Sequence, residues 1–200
     1  MWHSKRSSAL ARGYKASPPE MRLYLAGPDV FLPDPLARAA ALKAICAHYG
    51  FIGVSPLDPL AGEPEDWTMM PEALRIARRN EAHIASCDAL VANLTPFRGP
   101  SADAGTVFEL GFMRALGRPV YGWSNDPTPF AHRTRTFAGV TGGHDADGMQ
   151  IEDFGLADNL MIEGAIHASG GTLTQAASAH AERWTDLAAF TACIAAIRPR

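Results

Sequence analysis

This chain predicts an α/β protein with a doubly wound, mainly parallel sheet of about five strands and helices on both faces. Three observations carry that expectation. Short apolar runs recur along the chain and are separated by segments of helical periodicity. The runs close on Gly, Pro, Asp or Ser, the residues of tight turns. A length of 200 residues with 47% apolar and 20% charged side chains is enough to bury one core.

The first strand is MRLYLAG (21–27), buried in character and closed by Gly27-Pro28. PLARAAALKAICAHYG (35–50) follows as an alanine-rich helix stopped by Gly50, and FIGVSPLD (51–58) is a short second strand running into a turn. LAGEPEDWTMM (60–70) reads as a loop, with or without a short helical turn. PEALRIARRNEAHIASC (71–87) opens with Pro in a first helical turn, and DALVANL (88–94) is a third strand. Residues 105–117 form a helix stopped by Gly117, and RPVYGW (118–123) is a fourth strand. Residues 124–157 are rich in Gly, Pro and Asp, too long for a plain connector, and are expected to be a functional or interface loop. DNLMIEGAIHAS (158–169) and AERWTDLAAFTACIAAI (181–197) look helical. A fifth strand is expected near MQIEDF (149–154). Residues 1–20 have little periodic hydrophobicity and read as a disordered leader or an over-extended start, which leaves 21–200 as a single domain.

A net charge of −3 argues against a nucleic-acid or anionic-membrane surface, and the arginines of RIARRN read as a solvated helix face. Cys46, Cys87 and Cys193 are odd in number and make no C-x-x-C, as expected of reduced thiols in the cytoplasm. No apolar run reaches the roughly 18 residues of a membrane span. The histidines make no H-x-x-x-H pair and no case for a metal, and HDADG (144–148) reads as a turn.

In open parallel sheets the ligand sits at the carboxyl ends of the strands, near the point where strand order reverses. That rule nominates AGPDVF (26–31), SPLD (55–58) and TPFRGPSADAG (95–105). Neither a P-loop nor a dinucleotide fingerprint accounts for these loops.

SADAGTVFELG (101–111) poses the sharpest question. Thr106 and Glu109 have the spacing of a capping box, in which the glutamate bonds a backbone N–H at the helix start. The same glutamate, held anionic by the helix dipole at a strand-end cleft, could serve as a nucleophile. Asp103, six residues earlier, is a plain loop acid or helix cap, or it could share the pocket of Glu109, and paired carboxylates are how glycosidic chemistry divides attack from proton transfer. Asn80 falls on an apolar helical stripe with Ala73, Ile76, Ala77, Ile84 and Cys87, either as a structural hydrogen bond or as a pocket contact. Tyr24 sits mid-strand as a core residue, and Phe31 is a base-stacking ring or loop packing.

YLAGPDVF (24–31), SPLD (55–58), NEAHIASCDALVANL (80–94), FRGPSADAGTVFELGFMRALGRPVYGW (97–123) and DNLMI (158–162) together resemble the nucleoside 2-deoxyribosyltransferase family. The resemblance is densest over 80–123. It implies a flavodoxin-like fold, no cofactor, and exchange of the base of a 2'-deoxynucleoside for a free nucleobase with retention. It makes Glu109 the nucleophile, Asp103 the acid that protonates or orients the base, and Tyr24 the residue that positions the nucleophile. Gly27, Phe31, Asp58 and Asn80 occupy substrate-lining stretches, and Asn159 and Met161 match residues lent to a neighbouring subunit's site in a homo-oligomer. Two departures stand out: some members have an aspartate where this chain has Asn80, and the IAAIRPR ending does not match an active-site chain terminus. The rival expectations are a nucleoside 5'-monophosphate N-glycosidase, with Arg98 and Ser101 as a phosphate cradle, and a non-catalytic nucleoside-binding module.

Overall fold

The computed structural model describes residues 20–198. The expected leader lies outside these residues except for Glu20. Five parallel strands form one sheet in the order β2-β1-β3-β4-β5: β1 (Arg22–Ala26), β2 (Ile52–Val54), β3 (Ala89–Asn93), β4 (Val120–Ser124) and β5 (Leu173–Gln175). Every residue of β3 and β4 is buried, which is why both read as unbroken apolar runs.

Strand alternation sorts the core into two layers. Leu23 and Leu25 face α1 (Pro35–His48) and α6 (Ala188–Ala196), whose Leu42, Cys46, Phe190 and Ile194 complete one cluster around Trp123. Tyr24 and Ala26 face the other way, toward α2 (Glu72–Ala85), α3 (Ala104–Ala115) and α5 (Leu160–Ala168). This alternation delivers a tyrosine hydroxyl to the α3 side of the sheet. The order reverses between β1 and β3, so their carboxyl ends, Ala26 and Asn93, flank the expected ligand crevice.

Four expectations need correction. The fifth strand is Leu173–Gln175, not 149–154; Met149 and Phe154 are exposed and only Ile151 of that stretch is buried deeply. The supposed loop 124–157 contains a helix, α4 (Phe130–Ala138), followed by a His144–Gln150 bridge around the expected turn. The last helix begins at Ala188 rather than 181, because Asp186 turns the chain there by accepting from the Ala188 N–H at 2.8 Å. The apolar stripe of α2 is buried only toward its end: Ile84 and Cys87 are in the core, whereas Ala73, Ile76 and Ala77 are exposed. The three cysteines are buried and unpaired. Among the described residues no helix is long and apolar enough to cross a membrane.

Candidate active site

The crevice is built from the two strand ends outward. Gly27 leaves β1 and starts a 3-10 turn, Pro28–Phe31. A Cβ at Gly27 would come within 2.7 Å of both the Asn93 Cβ and Asp29 Oδ2, so the close approach of the β1 and β3 ends requires glycine. Beneath the turn, Asp29 accepts from Asn93 Nδ2 at 2.8 Å and from Arg38 Nε at 2.8 Å. The Asp29–Arg38 pair is almost wholly buried and ties the turn to α1. Neither residue stands out in the sequence, because a buried charge is legible only through its partner.

The other wall is the start of α3. Asp103 is its N-cap: Oδ2 accepts from the Thr106 N–H at 3.0 Å and from Thr106 Oγ1 at 3.1 Å. The cap thus lies one turn earlier than the Thr106–Glu109 spacing suggests, and Glu109 sits in the second turn, free of any capping duty. Its Oε1 instead accepts from the Tyr24 hydroxyl at 2.7 Å and from Asn80 Nδ2 at 3.3 Å. Tyr24 is fully buried behind it. Asn80 Oδ1 is also buried and has no hydrogen-bond partner among the described residues.

Burial pushes the Glu109 carboxyl up to about 7, opposed by the Tyr24 hydrogen bond, reinforced by the charge of Asp103 and opposed again by Asn80. Burial, followed by the charge of Glu109, raises Tyr24 far above the ordinary phenol range, so its hydroxyl is a fixed donor at neutral pH. A cavity of about 340 Å³ opens over this cluster, lined by Gly27, Phe31, Asn80, Asp103, Thr106 and Glu109.

Asp58 is not in that cavity. It lines an adjoining one of about 740 Å³ that shares Pro56, Leu57, Ile76 and Asn80 with the first. Its carboxylate is taken up by Lys43 Nζ at 2.7 Å and the Ser55 N–H at 3.0 Å. In the same cavity Glu63 holds Arg75 at 2.5 Å and Arg79 at 2.6 Å, while Arg78 meets Glu81 at 3.7 Å on the exposed side, so the arginines of RIARRN are paired rather than simply solvated.

The loop that delivers Asp103 is held from behind by a residue the sequence reading passed over. Buried Asp158 accepts from Ser101 Oγ at 2.5 Å, the Ala102 N–H at 3.0 Å and the Asn159 N–H at 2.8 Å. Arg133, from the unexpected α4, lies 3.6 Å from Asp158 and donates to the carbonyls of Pro100, Ala157 and Thr128. Asn159 and Met161 do not meet Glu109 of the same chain. They line a separate, mainly apolar groove of about 760 Å³ between α3 and α5, where Asn159 caps α5 and donates to Glu152 at 2.8 Å. Among the described residues no group of three or more His, Cys, Asp or Glu side chains is arranged to hold a metal ion.

Comparison with known proteins bears on this arrangement. The profile of the nucleoside 2-deoxyribosyltransferase family matches residues 23–161. An uncharacterised protein of Schizosaccharomyces pombe is 33% identical over 165 residues, which cover 74% of this chain and 78% of the relative. A solved 2-desoxiribosyltransferase from Leishmania mexicana is 29% identical and superposes with a TM-score of 0.60, over 88% of this chain and 98% of its own. A conserved protein from Enterococcus faecalis, 22% identical with a TM-score of 0.52 over 78% of this chain and 92% of that one, shares the fold. The matched region contains Tyr24, Asn80, Asp103 and Glu109, and the chain belongs to the nucleoside 2-deoxyribosyltransferase family, whose substrates are nucleosides and nucleobases.

Proposed function

We propose that this chain moves 2-deoxyribose between nucleobases through a covalent deoxyribosyl–Glu109 intermediate. The observation that carries the reading is the environment of Glu109. The carboxylate is released from capping by Asp103, aimed by Tyr24 and Asn80, and set against a cavity with a second acid on its wall.

Glu109 attacks C1' as the N-glycosidic bond breaks, and the bond's electron pair leaves on the base nitrogen. That nitrogen is protonated by a solvent proton relayed through Asp103, whose Oδ2 is fixed by Thr106. An incoming base returns a proton to Asp103, its nitrogen attacks C1', and Glu109 departs. Two inversions give net retention. A 2'-deoxy sugar lacks the electron-withdrawing hydroxyl that disfavours the oxocarbenium-like transition state, which suits it to capture by a partly desolvated carboxylate. The protein's own carboxylate carries the sugar, so the cycle calls for no cofactor. In this reading the chain is a cytoplasmic base-salvage enzyme.

The hydrolytic rival needs a phosphate cradle, and the residues nominated for it are engaged elsewhere. Ser101 Oγ donates to Asp158, and Arg98 lies over the Phe31 and Phe97 rings. The charged groups on the Glu109 cavity wall are both acids, which repel a phosphate. Incubating deoxyinosine with adenine and separating the products distinguishes the two. Deoxyadenosine supports transfer, whereas hypoxanthine with no new nucleoside means hydrolysis. A Glu109 adduct trapped by a 2-fluoro-2-deoxynucleoside excludes a pure binder.

Asn159 and Met161 are part of the same proposal as residues lent to a neighbouring copy in a homo-oligomer. Met161 is 71% exposed at the edge of the α3–α5 groove, free to meet a second chain. Mixing inactive Glu109→Ala and Asn159→Ala chains tests the idea: partial recovery of exchange supports shared sites, and none argues for sites complete within one chain.

A further inference from the structure

Phe31 lines the Glu109 cavity, yet it is 57% exposed and sits at the end of a four-residue turn. Its orientation is supplied by neighbours. The Phe97 ring stacks on it at 5.5 Å and 11°, and Trp184 meets Phe97 edge-on at 5.9 Å and 86°. The Arg98 guanidinium carbon lies 5.2 Å from the Phe31 centroid and 4.5 Å from that of Phe97. Arg98 reaches this position with φ at 55°, a left-handed conformation that a non-glycine residue keeps only at some cost.

Both ends of this aromatic run are anchored by buried side chains. Arg38 donates to Asp29, in the turn that ends at Phe31, and also to the Thr185 carbonyl at 3.2 Å, beside Trp184. Asn125, at the carboxyl end of β4, donates to the carbonyls of Arg183 at 2.8 Å and Asp186 at 3.0 Å, bracketing Trp184 from both sides. Trp184 lies beyond residues 23–161, so this end of the run is built outside the family-matched region.

We propose that Trp184 and Arg98 are positioning residues that fix the Phe31 wall and thereby set which nucleobase the cavity accepts; this rests on the base-exchange reading of the site. A wall held by Phe97 has a fixed gap to the opposite side, and a bicyclic purine and a monocyclic pyrimidine need different gaps. Removing the Trp184 edge contact or the Arg98 cation loosens the wall without touching Glu109, Asp103 or Tyr24.

The test compares wild type with Trp184→Ala, Trp184→Phe and Arg98→Gln in the full chain. Calorimetric Kd values for free adenine and cytosine are measured beside KM and kcat for exchange and the thermal midpoint. Trp184→Ala and Arg98→Gln are expected to weaken base binding about three- to tenfold, unequally for the two bases, with kcat held within about twofold. Trp184→Phe is expected to restore most of the loss. Unchanged Kd values and an unchanged adenine-to-cytosine ratio would overturn the proposal, as would a loss in which kcat and thermal midpoint fall together and the ratio stays fixed. If wild type binds bases but exchanges none, the base-exchange reading fails, and the Kd comparison still decides the roles of Trp184 and Arg98. Wild type that binds neither base overturns both.

Discussion

The Tyr24 hydroxyl donates to Glu109 Oε1 across 2.7 Å, joining residues 85 apart in the chain. The contact exists because alternation along β1 turns Tyr24 toward the face on which α3 lies, and because the second turn of α3 overhangs the β1 end of the crevice. Together with Asn80, this neutral donor favours the anionic form of a carboxyl that burial nonetheless pushes up to about 7.

Tyr24→Phe should therefore raise the Glu109 pKa further. A hydrogen bond to a charged group contributes about 1.5–3 kcal/mol, which corresponds to roughly one to two pH units. In wild type, kcat/KM for base exchange should rise tenfold per pH unit below about 7 and level off above it. In Tyr24→Phe the same limb should move alkaline by about one unit or more. Exchange rates from pH 5 to 9 measure both. A limb left in place by the substitution would remove Tyr24 from the positioning role.

The elevated carboxyl has a stability consequence of opposite sign to the usual acid. Below an ordinary value near 4.5, Glu109 is protonated in both folded and unfolded chains and costs nothing. Between there and about 7 the unfolded chain ionises while the folded one resists, so stability falls as pH rises through this window. Glu109→Gln keeps a group of similar size and removes that penalty. It should abolish exchange, leave stability unchanged at pH 4, and raise it at pH 8 by on the order of 2 kcal/mol. Urea midpoints at the two pH values check the difference. Equal shifts at both would mean that the charge is not the cause.

Much of this architecture is legible in the sequence, and its misses have physical reasons. β1, β3 and β4 announce themselves because strands buried on both faces must be apolar throughout. β5 does not, since Leu173–Gln175 is a three-residue edge strand with no fully buried position, while Met149, Ile151 and Phe154 mimic a strand although only Ile151 enters the core. α4 hides because its buried face is Ala131 and Arg133 rather than an apolar stripe. Asp103 and Glu109 are visible as a pair, but local spacing leaves the cap open between the two acids. Asp103–Thr106 has the same three-residue separation as Thr106–Glu109, and only the fold shows Asp103 capping α3 while Glu109 turns to Tyr24. Asp29, Arg38, Asp158 and Arg133 stay invisible because each is meaningful only beside a partner distant in the chain.

Asn80→Asp tests the electrostatic setting of Glu109, the proposed nucleophile. Asn80 Nδ2 lies 3.3 Å from Glu109 Oε1, so the substitution exchanges a donor for a like charge. Both changes disfavour ionised Glu109 and should move the acid limb of kcat/KM upward by about one unit or more. The two carboxyls then titrate as a coupled pair, so the limb should also broaden. A limb that stays near 7 would show that residue 80 is not coupled to Glu109.

Asp158 and Arg133 offer a way to separate fold from site. Asp158→Ala strips Ser101, Ala102 and Asn159 of their shared acceptor and leaves the buried Arg133 without its carboxylate. Breaking one side of such a pair costs about 3–5 kcal/mol, so the urea midpoint should fall sharply. Adding Arg133→Met removes the stranded charge and should recover part of that loss, since apolar replacements of buried pairs are often tolerated. Exchange activity should not recover with it. The loop from Phe97 to Asp103 would remain unpinned at Ser101 and Ala102, and at the Pro100 carbonyl that Arg133 holds in wild type. A small displacement of Asp103 from the leaving base is enough to lower the rate about a hundredfold. Activity returning in step with stability would instead mean that the pair serves the fold alone and that Asp103 is positioned by its own cap on Thr106.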